Sequence, residues 1–203
     1  MRIIGAASEA EMVASFLVGE LNSERFGSTL TRVLARNGHS RALLTNANLS
    51  DSKENEQRRR VLGEFRGYRQ SRELFEGFPD EVSWQHVLLP PSELLSVRYI
   101  DYSYWTALTT GTRRPTDAAR FIRRGGLVFG RMPTGHFLAA AESLQEGVTW
   151  EPIICVRSGA DCPLVVLEGH ARLTAMALAS ECLSDQVPVL LGTSAAISDW
   201  PCY

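Results

Sequence analysis

The run from Pro163 to Leu178 constrains this chain more than any other stretch. Leu164, Val165, Val166 and Leu167 are four consecutive apolar residues, the pattern of a strand buried on both faces. Gly169 supplies a sharp turn, and the Ala/Leu/Met-rich segment after it reads as a helix packed back on that strand. Polar chemistry is thereby crowded into one corner. Glu168, His170, Arg172 and Thr174 fall at or just inside the start of the predicted helix, where unpaired backbone N–H groups and the helix dipole favour an anion. Taken singly, each has a plain structural explanation: an acid at a positive helix end, a histidine bonded to a carbonyl, a solvated arginine. Three such side chains around one glycine, between an apolar strand and an apolar helix, point instead to a ligand, and a phosphate group is the first expectation.

The box Glu168-Gly169-His170-Ala171-Arg172 resembles the signature of the ParB N-terminal domain and sulfiredoxin superfamily, in which a strand ends in Gly-x-x-Arg and a helix begins. Its members include partition proteins that bind CTP, sulfiredoxins that use ATP and free serine kinases that use a nucleoside phosphate. Gly169 and Arg172 fit all three branches, and the two positions between them separate the branches. Sulfiredoxins carry their catalytic Cys where this chain has His170, and partition proteins have Glu-Arg where it has His170-Ala171. The serine kinases come closest, with an acid followed by Gly-His-His-Arg, matched by Glu168, Gly169, His170 and Arg172 and broken at Ala171. A second hallmark, a helix ending in Gly followed by Pro-Ile and a strand, is similar to Gly147 through Pro152-Ile153, with one residue more between Gly and Pro than the partition proteins have.

The resemblance covers about residues 84 to 193. It implies an α+β fold, a small mixed sheet flanked by helices, within a single domain. Residues 1–80 then form a helical N-terminal extension and 194–203 a tail. It also implies a nucleoside phosphate as ligand, ATP, ADP or CTP with magnesium. The phosphates would rest on the backbone of Gly169, His170, Ala171 and Arg172, with Thr174 nearby. Arg172 would neutralise their charge, and Arg113 or Arg114, two fixed cations in the turn Thr110 to Pro115, would reach across as the second half of the site. Glu168 or His170 would accept a proton from a small hydroxyl acceptor, or Glu168 would hold the metal.

Ahead of this core the pattern is helical. Met12, Val13, Phe16, Leu17 and Leu21 keep helical spacing behind Ser8, with Glu11 three positions on, so a capping box is expected. A second helix spans Ser28 to Arg36 and stops at Asn37-Gly38, and Thr45 to Asn55 reads as a loop. Residues 53–76 hold seven basic and five acidic side chains interleaved with apolar ones, the pattern of a helix laced by internal ion pairs rather than a nucleic-acid face. Beyond Pro79, Val82 to Leu89 reads as a strand, and Tyr99, Tyr102, Tyr104 and Trp105 form an aromatic cluster expected to wall the core, with base stacking as the alternative. Helices are expected over 116–124 and 135–145, and a last strand over Val187 to Leu191 with Pro188 near its start.

Charge and cysteine usage bound the functions. A net charge of −2 places no global positive field on the molecule, so nucleic acid and anionic lipid are disfavoured as partners. Cys155, Cys162, Cys182 and Cys202 show no metal-binding spacing and read as thiols of a cytoplasmic protein. No stretch approaches membrane-spanning length, and the first residues read as neither signal nor anchor. With no helix-turn-helix after the core, a chromosome-partition role is not expected. The leading expectation is a nucleotide-binding protein, with phosphotransfer to a small molecule as its chemistry. A DNA-associated or nuclease-like protein and a non-catalytic protein-interaction module stay open beside it. No cluster of acids at metal-sharing spacing favours the nuclease.

Overall fold

The computed structural model describes all 203 residues. In chain order the elements are β1 (Arg2–Ala7), α1 (Glu9–Leu21), α2 (Gly27–Arg36), α3 (Ala42–Thr45), α4 (Ser52–Arg66), β2 (Ser83–Leu89), α5 (Pro91–Leu94), α6 (Ser103–Leu108), α7 (Pro115–Arg123), α8 (His136–Gln145), β3 (Ile153–Arg157), β4 (Val165–Glu168), α9 (His170–Leu178) and β5 (Val187–Thr193). The fold class is α+β as expected, with one five-stranded mixed sheet ordered β1-β2-β5-β3-β4. Only β3 and β5 run parallel, Ile153 facing Val189 and Arg157 facing Thr193; the other pairs are antiparallel.

Local chemistry sets the element ends. Ser8 accepts from the Glu11 amide while the Glu11 carboxylate takes the Ser8 amide, closing the expected capping box of α1. Asp51 caps α4 through the amides of Lys53 and Glu54, one residue before the helix begins inside what reads as loop in the sequence. Gly67 ends α4 in the left-handed region, and a Cβ there would sit 1.9 Å from the Arg72 carbonyl oxygen, so no other residue fits the reversal.

Alternation along the strands sends side chains into two cores. Ile154, Val156, Val165, Leu167 and Leu190 pack with Met12, Phe16, Leu17, Leu30, Leu34, Leu62 and Phe75 from α1, α2, α4 and the segment after it. Ile153, Cys155, Val166, Val189 and Leu191 pack on the other side with Ala118, Ile122, Phe137, Leu173 and Ala177 from α7, α8 and α9. The sheet therefore lies between two helical layers, each element buried against a partner.

The expected helical extension is helical only from Glu9 onward. Its first residues form β1, an edge strand on β2 with Arg2 opposite Leu88 and Ala7 opposite Trp84. The interleaved charges of α4 form the expected internal ion pairs, among them Arg58 with Glu54. Glu56 pairs with Arg59 and with Arg60, as foreseen, but Arg58 is fully buried and donates to the carbonyls of Leu43 and Asn48, tying down the loop before α4. The tail is likewise part of the core: Trp200 is buried, stacks edge-on with Phe78 at 5.3 Å and donates its indole N–H to the Leu74 carbonyl.

Deleting residues 1–80 would uncover one entire face of the sheet, including Trp84, Ile154, Val156, Val165 and Leu190. The truncated chain is expected to lose its cooperative thermal transition and to bind a hydrophobic dye. A single sharp melt from the truncated chain would show that the N-terminal layer is an appendage.

Candidate functional site

The junction of β4 and α9 forms as the sequence predicts, and its geometry follows from two local devices. Gly169 adopts φ +93°, and a Cβ on it would come within 2.7 Å of Ile153 Cγ2, so strand and helix can meet this closely only through glycine. The register of β4 against β3 shifts by one residue, from Cys155 opposite Val166 to Ile154 opposite Glu168. That extra residue breaks the alternation and turns Glu168 toward α1 instead of toward α9.

Arg172, in the first turn of α9, reaches back to this acid. Its Nη2 donates to Glu168 Oε2, and its Nη1 donates to the carbonyls of Glu151 and Pro152, the latter at 3.4 Å. Both side chains are nearly buried, and α1 seals them: a Cβ on Gly19 would lie 2.7 Å from Glu168 Oε1 and 2.8 Å from Arg172 Nη2. Burial holds the Glu168 carboxyl above the usual carboxylate range, opposed by the charge and hydrogen bond of Arg172.

The backbone N–H groups of His170, Ala171 and Arg172, the first turn of α9, donate to no group in the chain. Beside them the His170 ring lies flat against Trp105, with centroids 5.0 Å apart and planes 20° apart. Tyr99 stacks on the same indole at 4.7 Å. His170 Nε2 is sealed from solvent and has no hydrogen-bond partner. Burial, with the nearby charges of Arg66 and Arg172 acting in the same direction, pushes the His170 pKa down to about 3, so the ring is neutral at physiological pH.

Four expected ligand residues converge here: Gly169, His170, Ala171 and Arg172. Two others, Thr174 and Arg113, serve the fold. Thr174 is fully buried, donates to the His170 carbonyl and shares a 2.7 Å hydrogen bond with the Tyr99 hydroxyl, so it orders the turn beneath the site. Arg113 does not reach across. Its guanidinium is consumed by the carbonyls of Tyr99, Cys202 and Tyr203, where it anchors the C-terminal residues. Arg114 is exposed at the start of α7 and contributes no contact to the α9 turn. Arg172 itself is committed to Glu168 and two carbonyls, which leaves the cationic role expected of it to another residue. Glu168 as a metal ligand does not fit either, because its carboxylate is held by Arg172 and no group of three His, Cys, Asp or Glu side chains converges anywhere in the chain.

The N-terminal layer supplies what the sequence did not disclose. Glu20, in the last turn of α1, is 8% exposed, and burial pushes its carboxyl up to about 7. The charge of Glu168 adds to that rise, Arg66, Arg172 and Arg25 oppose it, and no hydrogen bond to the carboxyl contributes. Arg66, the last residue of α4, has a buried Nε without a partner, and its guanidinium carbon lies 4.7 Å from the centre of the Phe26 ring. One signal for Glu20 was present in the sequence: it lies four residues beyond Phe16, an acid on an apolar stripe. Nothing distinguishes Arg66 from its arginine neighbours until α4 is placed.

Comparison with protein-family models, with curated proteins and with solved structures finds no match to this chain.

Two consequences are measurable. Arg172→Met leaves a buried carboxylate unpaired and should destabilise the fold by about 3 to 5 kcal/mol, whereas the double variant Glu168→Gln/Arg172→Met should lose less than Arg172→Met alone in denaturant melts. The folded-state pKa of Glu20 lies above its ordinary 4.5, so its contribution to stability is full below pH 4.5 and is lost as pH rises through about 7. Glu20→Gln should therefore match the parent near pH 4 and exceed it at pH 8 by at most about 3 kcal/mol. Parallel stability curves for the two proteins from pH 4 to 8 would contradict this.

Proposed function

We propose that this protein binds a nucleoside phosphate at the N-terminus of α9 and transfers its terminal phosphoryl group to a small hydroxyl compound. The observation that carries the proposal is the set of polar groups without partners at one place: the three free amides of His170 to Arg172, the sealed His170 Nε2 and the unpaired Arg66. Unpaired amides at a helix N-terminus favour an anion, and a cation such as Arg66 beside them adds to that preference. The resemblance of the Glu168 to Arg172 box to the ParB and sulfiredoxin superfamily supports the same ligand class.

The roles then follow from the geometry. The amides donate to phosphate oxygens, and the neutral His170 ring, stacked on Trp105, lies beside them without adding charge. Arg66 supplies the charge that Arg172 cannot, because Arg172 holds the turn in shape through Glu168 and the Glu151-Pro152 carbonyls. Glu20, poised near neutrality, takes the proton of the acceptor hydroxyl as that oxygen attacks the terminal phosphorus. The bond from that phosphorus to the bridging oxygen breaks, and the shortened nucleotide leaves with the electron pair. The nucleotide would bring magnesium with its phosphates, since the chain presents no resident metal site.

Titration with ATP, ADP and CTP, with and without magnesium, tests binding. Arg66→Ala should weaken the preferred nucleotide about ten-fold to a hundred-fold, the range of one charge-assisted contact. Turnover is followed as loss of terminal phosphate in the presence of small hydroxyl compounds including serine. Glu20→Gln should lower it by about 10² to 10⁴ while leaving nucleotide affinity within a few-fold. A parent protein that binds none of the nucleotides would overturn the proposal; binding without transfer would reduce it to a binding module.

A further inference from the structure

The connection between α1 and α2 places a second arginine beside the first. Phe26 precedes α2, and the guanidinium carbons of Arg25 and Arg66 lie 4.6 and 4.7 Å from the centre of its ring. Neither arginine has a carboxylate within ion-pairing distance, although most other arginines of the N-terminal layer do: Arg36 with Glu64, Arg58 with Glu54, Arg59 and Arg60 with Glu56, Arg69 with Glu9 and Asp80. Each guanidinium is held over the Phe26 ring rather than paired with a carboxylate, so its charge remains available to an anion beside the ring.

These cations are continuous with the α9 turn. Arg66 acts electrostatically on His170 and Glu168, and both Arg25 and Arg66 act on Glu20. Arg25 also faces Tyr104, whose ring packs edge-on at 5.1 Å against Trp105, the indole that covers His170. Glu20, more than nine-tenths buried with no hydrogen bond to its carboxyl, lies within the electrostatic reach of Arg25, Arg66, Arg172 and Glu168.

Resting on the phosphate reading of the α9 turn, we propose that Arg25 and Arg66, gathered on Phe26, form a clamp for a second phosphate group, so that the ligand must contain at least two linked phosphates. One phosphate seats on the amides of His170 to Arg172, and the next lies against Arg66 and Arg25. Arg66 reaches both, while Arg25 reaches only the second. Arg25 is the residue that selects diphosphates and triphosphates over monophosphates, and its exposure on the α1–α2 connection makes it replaceable without cost to the core.

The test compares orthophosphate, pyrophosphate, AMP, ADP and ATP by calorimetry against the full chain, in metal-free buffer and again with magnesium. Pyrophosphate and ADP should bind at least about ten-fold more tightly than orthophosphate and AMP. Arg25→Ala should collapse that difference while leaving AMP affinity and the melting temperature unchanged, and Phe26→Leu should reduce the difference by loosening both guanidinium groups. Should AMP bind as tightly as ADP, or should Arg25→Ala leave the ratio intact, the clamp is overturned and the nucleotide reading survives. If no phosphate compound binds the parent protein, both fall together.

Discussion

The ion pair between Glu168 and Arg172 is the contact on which the site depends. It joins the end of β4, the first turn of α9, the Glu151-Pro152 loop and, through the missing side chain of Gly19, the last turn of α1. Two charges removed from water are costly, and the pair is tolerable because the guanidinium also satisfies two carbonyls that would otherwise lack donors. Its value is positional. With Arg172 locked, the amides of His170, Ala171 and Arg172 are held facing the same space, and the turn cannot relax by folding its own side chains over them.

The same pair explains how charge is distributed around the site. Because Glu168 pairs with Arg172, the cation without a carboxylate partner that acts on the α9 turn comes from the other layer, from Arg66. Burial, with the charges of Arg66 and Arg172, keeps His170 neutral, while burial beside Glu168 keeps Glu20 half-protonated near neutral pH. Two titratable groups are thus pushed apart in opposite directions by one environment, the arrangement in which a neutral imidazole and a proton acceptor coexist. Neither helical layer contains the site alone. The α9 layer carries the unpaired amides of the proposed anion seat and the α1–α4 layer carries Arg66 and Glu20, and the two layers meet at Glu168.

The strand, glycine, helix and polar corner of residues 163–178 were determined by the sequence alone, and so, to within a residue or two at their ends, were the capping box of α1, the helix read at 28–36, the strands read at 82–89 and 187–191 and the α+β class. These are legible because they rest on local physics: apolar periodicity, a cap residue, a glycine where the backbone must turn. Tertiary structure alone decided how the charges are used. Arg113 and Arg172 look in sequence like free cations for a phosphate, yet carbonyls brought in from Cys202, Tyr203, Glu151 and Pro152 claim them. Arg66 and Glu20 look like parts of ordinary amphipathic helices, yet packing seals the Arg66 Nε without a partner and buries Glu20 with no hydrogen bond to its carboxyl. The reason is the range of the forces. A cap or a turn is settled within four residues, whereas the free energy of a charged side chain depends on which groups the rest of the chain places within a few ångströms of it, and no local pattern records that.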